Sequence, residues 1–438
     1  MWKNLTALEK RTMAGCFAGW TLDALDAQAY SFVMPALIGL WGISRAQAGM
    51  LGTVTLLVSA FGGWFVGMLS DRHGRVRALQ ITVVWYALFT FLSGFTQNFE
   101  QLFLCRAMQG FGFGGEWAAG AVLIGEVIRD EYRGRAVGIV QSGWAIGWGA
   151  AALLFGLLFS SLPETLAWRV MFWIGLIPAL IAIWMRKKLK EPEASAPARL
   201  AARRTSAGSQ IGVIFTRRWL PTTIKASALA MGATGGSYSF VVWLPTYLKN
   251  VRHMSVVGTT SFTVVLIAGS LLGFLVGAYL CDAIGRRRTF MISAIGSALM
   301  LVLYMGVPLP DSIMLVLGFP LGFCAYMMFS PMGPYLTELF PASIRGTAQG
   351  FCYNFGRGAG ALFPGVIGLL GSLFPLGKAI VLFGVGAYAI MLVSVALLPE
   401  TAGKRLEDSG RPAPDGGESD ARRPSGAHPI AATDPRVK

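Results

Sequence analysis

Charge is scarce in this 438-residue chain: Asp, Glu, Lys and Arg supply 13% of it, while hydrophobic residues reach 54%. Ordinary soluble chains carry about 25% charged residues. So little polar surface excludes the water-soluble assembly of about three domains that the length alone would suggest. Histidine is nearly absent, and His73, His253 and His428 fall in expected loops or the tail, which removes histidine as an intramembrane proton carrier or metal ligand. The five cysteines (Cys16, Cys105, Cys281, Cys324 and Cys352) show no paired spacing, so neither a disulfide framework nor a metal site is expected. No nucleophile and base set stands in any span, which argues against a membrane enzyme, and no cofactor is expected. The opening Met1–Thr12 stretch is charged and no small-residue cleavage site follows it, so the first span reads as retained.

What the chain has instead is long apolar segments, each reaching the ~20 residues that cross a ~30 Å hydrocarbon layer. They lie at 13–40, 47–69, 78–97, 101–125, 136–160, 168–185, 222–247, 257–280, 289–308, 312–335, 347–371 and 379–398. This predicts an all-α polytopic membrane protein with twelve transmembrane helices. Of the 37 Lys and Arg, 29 fall on the side of both termini, 4 on the other side, and 4 (Arg106, Arg169, Lys225, Arg357) within spans. By the positive-inside rule both termini then face the cytoplasm of a bacterial-type inner membrane, and the +15 net charge is a topology signal that needs no nucleic acid. A basic stretch at 186–218 separates a six-helix half at 1–185 from a second at 219–401. Segment 402–438 is rich in Pro, Gly, Asp and Arg and reads as a disordered cytoplasmic tail. A monomer in the lipid bilayer is expected.

The chain repeats itself. Glu126, Arg133, Gly134, Ala136 and Gly138 recur as Glu338, Arg345, Gly346, Ala348 and Gly350, an offset of 212. Asp71, Gly74, Arg75 and Arg77 recur as Asp282, Gly285, Arg286 and Arg288 at 211, and Tyr30 to Val33 as Tyr238 to Val241 at 208. Three matches in one order at nearly one offset indicate two six-helix pseudo-repeats. Parallel repeats of this kind are one architecture of secondary transporters, with the substrate site between them near the midplane.

Gly67-Met68-Leu69-Ser70-Asp71-Arg72-His73-Gly74-Arg75 resembles the loop 2–3 signature of the major facilitator superfamily, and the copy around Asp282 resembles its loop 8–9 counterpart. Arg106-Ala107-Met108-Gln109-Gly110-Phe111-Gly112 resembles that superfamily's fourth-helix motif, and Pro399-Glu400-Thr401 before Gly403-Lys404 is similar to the element after helix twelve in its sugar porters. Trp20 to Asp26 resembles the first helix of its proton symporters for organic acids, the aromatic-acid and sialate/lactate groups, although Ala27-Gln28 departs from their pattern. Gly114-Gly115-Glu116 resembles the metabolite-proton and sialate symporter groups of the superfamily. The resemblance implies proton-coupled uptake of a small organic anion by alternating access; a sugar or polyol symporter, or a non-transporting sensor on the same fold, is the alternative.

Charged residues inside a span are costly and are functional candidates. Asp23 and Asp26 stand 12 and 15 residues beyond Arg11, about 18 and 22 Å in, and share a helical stripe with Tyr30. With Glu116 they are the candidate proton carriers, the alternative being a hydrogen-bonding role. Arg357, about 18 Å into helix eleven, has Ala145 at its repeat position and suits a carboxylate through two parallel hydrogen bonds; the alternative is an ion pair with Glu116 or Asp26. Arg106, expected in the outer half of helix four where it could snorkel, is assigned with Arg357, Tyr30, Gln109 and Asn354 to the substrate. The signature loops, through Gly67, Asp71, Arg72, Gly74, Arg75 and Arg133 and their copies Asp282, Gly285, Arg286 and Arg345, are expected to hold the inner gate closed.

Overall fold

The computed structural model describes residues 5–73, 75–128, 130–176, 212–341, 344–371 and 373–402, and at 64, 67–73, 75–76, 79, 115–126, 130–135, 137 and 346 the backbone alone. The first half holds α1 (Ala7–Trp41), α2 (Arg45–His73), α3 (Arg75–Ser93), α4 (Phe99–Val127), α5 (Asp130–Ser161) and α6 (Glu164–Ile174). The second half opens with α7 (Leu220–Val241, continuing as Leu244–Asn250) and α8 (Val256–Ala283). Then come α9 (Arg286–Leu301, closing in the π-helical turn Val302–Gly306), α10 (Asp311–Met327 and Phe329–Glu338), α11 (Arg345–Gly360 and Leu362–Leu370) and α12 (Leu376–Ala396). These are the twelve expected spans, and among the described residues no strand occurs. The expected linker at 186–218 up to residue 211, and the tail beyond Ala402, lie outside the described residues.

Helix boundaries follow local chemistry. At the start of α1, Glu9 N donates to Thr6 Oγ1 at 3.2 Å and Thr6 N donates to Glu9 Oε2 at 2.7 Å, so two otherwise orphaned donors are satisfied reciprocally. The helix ends at Gly42, whose φ of 63° favours glycine. Three spans expected to be continuous are broken instead. Proline offers no N–H to the carbonyl four residues back, and its ring crowds that carbonyl. Counting four back from Pro245, Pro331 and Pro364 gives Val241, Met327 and Gly360, which are the last residues of the leading segments of α7, α10 and α11. Pro35 and Pro320 lie inside helices that continue past them.

The pairing of helices carries the duplication into space. In the first half α1 packs on α5, α2 on α4, and α3 on α4 and α6; in the second, α7 packs on α11, α8 on α10, and α9 on α10 and α12. Each second-half pairing is the first-half pairing moved on by six. Of the contacts between halves, α2 with α11 and α5 with α8 exchange under the same shift, and α1 with α7 maps onto itself.

Close approach at these crossings depends on glycine, as is usual between membrane helices. A Cβ on Gly62 of α2 would collide with the Phe111 carbonyl of α4, and a Cβ on Gly273 of α8 with the Phe323 carbonyl of α10. Backbone cannot yield as a side chain does, so Gly62→Val and Gly273→Val are each expected to cost about 1–3 kcal/mol. Thermal unfolding of the two purified variants checks this; a lowered Tm in only one of them would contradict the equivalence of the two crossings.

Both α1 and α12 have their outer termini at one end of the bundle, here the near end. At the opposite, far end the halves are bonded directly. Arg45 Nη1 donates to the Gly371 carbonyl at 2.8 Å, Gly365 N donates to Thr53 Oγ1 at 2.9 Å, and Lys249 Nζ meets Glu164 Oε1 at 2.6 Å.

Candidate functional site

Between the halves lies a cavity. Nine spans line it, from α1, α2, α3, α4 and α5 on one side and α7, α8, α10 and α11 on the other. Ten of its twenty-four lining residues are aromatic, and they form two walls. On the first-half side Trp144 of α5 lies between Trp20 and Phe113, with ring centroids 5.0 and 6.1 Å away. On the second-half side Tyr326 of α10 lies between Phe274 and Phe329, at 5.3 and 5.7 Å. Three lining residues are charged: Asp26, Arg106 and Arg357.

Asp26 is 2% exposed, and neither of its carboxylate oxygens has a hydrogen-bond partner. Glycine makes room for it, since a Cβ on Gly175, just past the end of α6, would stand 2.5 Å from Asp26 Oδ1. Asp23, one turn earlier on α1, is also buried but stands outside the cavity wall.

Arg106 is 2% exposed rather than snorkelling, because α1 covers it: its Cζ lies 4.5 Å from the centroid of the Tyr30 ring. A short relay fixes one end of the guanidinium. Arg106 Nη1 donates to Gln109 Oε1 at 2.7 Å, Gln109 Nε2 donates to Thr90 Oγ1 at 2.7 Å, and Thr90 Oγ1 donates to the Tyr86 carbonyl at 2.9 Å. Gln109, assigned to the substrate in sequence, thus spends both ends of its amide on orienting Arg106. Tyr30 likewise commits its hydroxyl, donating to the Ala48 carbonyl at 2.6 Å while its ring lines the cavity.

Arg357 reaches across the seam between halves and donates from Nη2 to the Ser59 carbonyl of α2 at 2.9 Å. Its Cζ lies 5.9 Å from the Phe113 ring and 5.7 Å from the Tyr353 ring. Among the described residues no ion pair joins it to a carboxylate. Asn354 stands elsewhere: its Nδ2 donates to the Gly350 carbonyl of its own helix at 2.9 Å, and its Oδ1 faces Gly63 of α2 outside the cavity wall.

Sequence reasoning missed the walls. Trp20 entered only as part of a motif, and Trp144, Tyr326, Phe274 and Tyr353 were not singled out. One signal was available, since the duplicated Tyr30 and Tyr238 both line the cavity.

The near-end candidates of the second half form one knot. Arg286 Nη1 lies 3.0 Å from Asp282 Oδ1, Arg286 Nη2 lies 3.1 Å from Glu338 Oε1, and Thr401 Oγ1 donates to Glu338 Oε2. Arg345 Nε donates to the Thr337 carbonyl at 3.0 Å. Glu400 closes the knot by capping α9, accepting from Arg286 N and Arg287 N at 3.0 Å each. Burial alone would raise the Glu400 carboxyl, but backbone N–H groups of Ala402, Arg287, Thr401 and Arg286 hold it below its ordinary value. Gly285, at a φ of 97°, lets Glu400 approach, since a Cβ there would stand 2.7 Å from Oε2. Of the first-half counterparts Gly67, Asp71, Arg72, Gly74, Arg75 and Arg133, and of Glu116, the side chains lie outside the described residues.

Comparisons with known proteins agree with this arrangement. The family model described as Major Facilitator Superfamily matches residues 16–278 and 258–434. The chain is 43% identical to a probable 4-methylmuconolactone transporter of Cupriavidus pinatubonensis, covering 97% of this chain and 96% of that protein. It is 34% identical to a cis,cis-muconate transport protein of Acinetobacter baylyi, covering 87% and 92%. Among solved structures, a D-xylose-proton symporter superposes with a TM-score of 0.75 at 19% identity, over 91% of this chain and all (100%) of that one.

Proposed function

The chain belongs to the Major Facilitator Superfamily, a family of membrane transporters and not of enzymes, and from that premise we propose that it takes up a small organic anion together with protons by alternating access. The observation that carries this reading is the cavity between the halves, whose described lining includes two guanidiniums and one carboxyl among aromatic walls. Arg357 and Arg106 supply the anion's charge-assisted hydrogen bonds, Tyr30 packs on Arg106, and Gln109 holds it in position. Asp26 is the proton carrier within the cavity, with Asp23 and Glu116 as deeper candidates on α1 and α4. The unsaturated organic acids named for the two sequence relatives support an acid over a sugar. The xylose symporter supports the fold alone.

Gating is assigned to the near end, to Asp282, Gly285, Arg286 and Arg345 and to the first-half residues Gly67, Asp71, Arg72, Gly74, Arg75 and Arg133. The membrane is a bacterial-type inner membrane with both termini cytoplasmic, on the strength of the Lys and Arg distribution, and the working unit is a monomer.

Proteoliposomes test this directly. With an imposed pH gradient, the outside acidic, a labelled conjugated carboxylate is expected to accumulate above its external concentration, and an uncoupler is expected to abolish the accumulation. Labelled xylose serves as the alternative. Accumulation of the sugar but not of the acid would replace this reading with sugar symport, and uptake of neither would favour a sensor.

A further inference from the structure

Among the described residues the charge of the cavity does not balance: two guanidiniums line it and one carboxylate answers them. That carboxylate, Asp26, makes no hydrogen bond, and no ion pair joins it to either arginine. An uncompensated cation held away from water is strongly unfavourable. When Asp26 is protonated, as the organic-anion symport reading on which this inference rests requires, neither guanidinium is answered by a carboxylate among the described residues.

Each guanidinium is tethered by a different nitrogen to a neutral oxygen, and each keeps donors free. Arg106 spends Nη1 on Gln109, and its buried Nε has no partner. Arg357 spends Nη2 on the Ser59 carbonyl, and its buried Nε is likewise unpartnered. The edge of a guanidinium that grips a carboxylate with two parallel hydrogen bonds is Nε with Nη2: on Arg106 neither is engaged, and on Arg357 the pair becomes available when the ligand takes Nη2 from the Ser59 carbonyl.

The two grips stand apart and belong to different halves. Arg106 lies over Tyr30, while Arg357 lies nearest Phe113 and Tyr353. Phe113 is seven residues beyond Arg106 on α4, which at 1.5 Å per residue separates the two sites by on the order of 10 Å. A single carboxylate cannot answer both, but the two ends of one short chain can.

We propose that the cavity is built for a dicarboxylate, one carboxylate taken by Arg106 of the first half and the other by Arg357 of the second, with the chain between them lying against the aromatic walls. Such a ligand ties the halves together through its own length. A monoanion occupies Arg357 and leaves Arg106 unanswered, so it binds more weakly.

Equilibrium binding to the purified full chain tests this with two probes that differ in one charge: a linear six-carbon conjugated dienedioate and its monomethyl ester. The wild-type protein is expected to bind the diacid at least about tenfold tighter, which corresponds to about 1.4 kcal/mol. Arg106→Gln is expected to bring the diacid-to-monoester ratio toward one. Arg106→Lys, which keeps the charge but loses the fork, is expected to give an intermediate ratio. Equal affinity for the two probes in the wild-type protein overturns the dicarboxylate assignment and leaves the organic-anion reading standing. If neither probe binds, the organic-anion reading falls and this inference with it. The wild-type comparison decides the matter even if a variant fails to fold.

Discussion

Replacing Arg357 by alanine is expected to raise the Kd for the transported acid between about thirtyfold and several thousandfold. The side chain is 3% exposed, so its guanidinium meets the ligand with little competing water. Truncating one partner of a buried, hydrogen-bonded charge pair costs about 2–5 kcal/mol, and each 1.4 kcal/mol is tenfold. Arg357→Lys keeps the charge as a point but loses the planar fork, and is expected to fall between wild type and alanine. Titration of the purified variants by intrinsic tryptophan fluorescence is suited to the measurement, because Trp20 and Trp144 line the same cavity. A Kd for Arg357→Ala within about threefold of wild type would remove the arginine from the binding site.

Asp26→Asn should abolish concentrative uptake and spare exchange. The amide nearly reproduces the shape of the carboxyl beside Gly175, so the cavity keeps its walls, but it takes up no proton at physiological pH. Uptake driven by a pH gradient then falls to the level reached without one, while counterflow of labelled against unlabelled substrate continues. With the proposed proton on Asp26 needed for loading, wild-type uptake is expected to speed up as external pH falls from about 8 to 6, and the variant's rate to be flat across that range. Full accumulation by Asp26→Asn would move the proton to Asp23 or Glu116.

Much of the architecture could be read from residue chemistry alone, because in a bilayer every spanning backbone must satisfy itself as helix. Apolar length therefore carried most of the fold, and the offset near 212 carried the symmetry. The breaks in α7, α10 and α11 were not anticipated, although Pro245, Pro331 and Pro364 were in plain view. Pro35 shows why: the same residue inside α1 leaves its helix unbroken, and neighbouring spans decide the outcome.

The cavity wall was legible only at its charged members. In a soluble helix the buried face is marked by apolar residues, but here the lipid-facing side is apolar as well, so periodicity does not say which side looks inward. Trp144 on the wall and Leu153 on the outside, 62% exposed, belong to one continuous apolar run of α5. Asn354 was misleading in a related way. It sits three residues from Arg357 on α11, yet the helix turns it onto the seam with Gly63 while the longer arginine reaches the cavity.

The hydrogen bond from Arg357 to the Ser59 carbonyl bears on the half of a transport cycle in which nothing is carried. A symporter that has delivered its cargo must reverse its orientation empty, and a naked guanidinium would make that return slow. Ser59 offers a resident oxygen that stands in for the absent ligand and, being on α2, fastens α11 to the opposite half while it does so. Cargo must displace this stand-in to bind, so part of its affinity is given up on arrival and regained by the protein on departure. In the proposed cycle the same 2.9 Å contact that lowers the grip on the substrate is what lets the carrier come back for more.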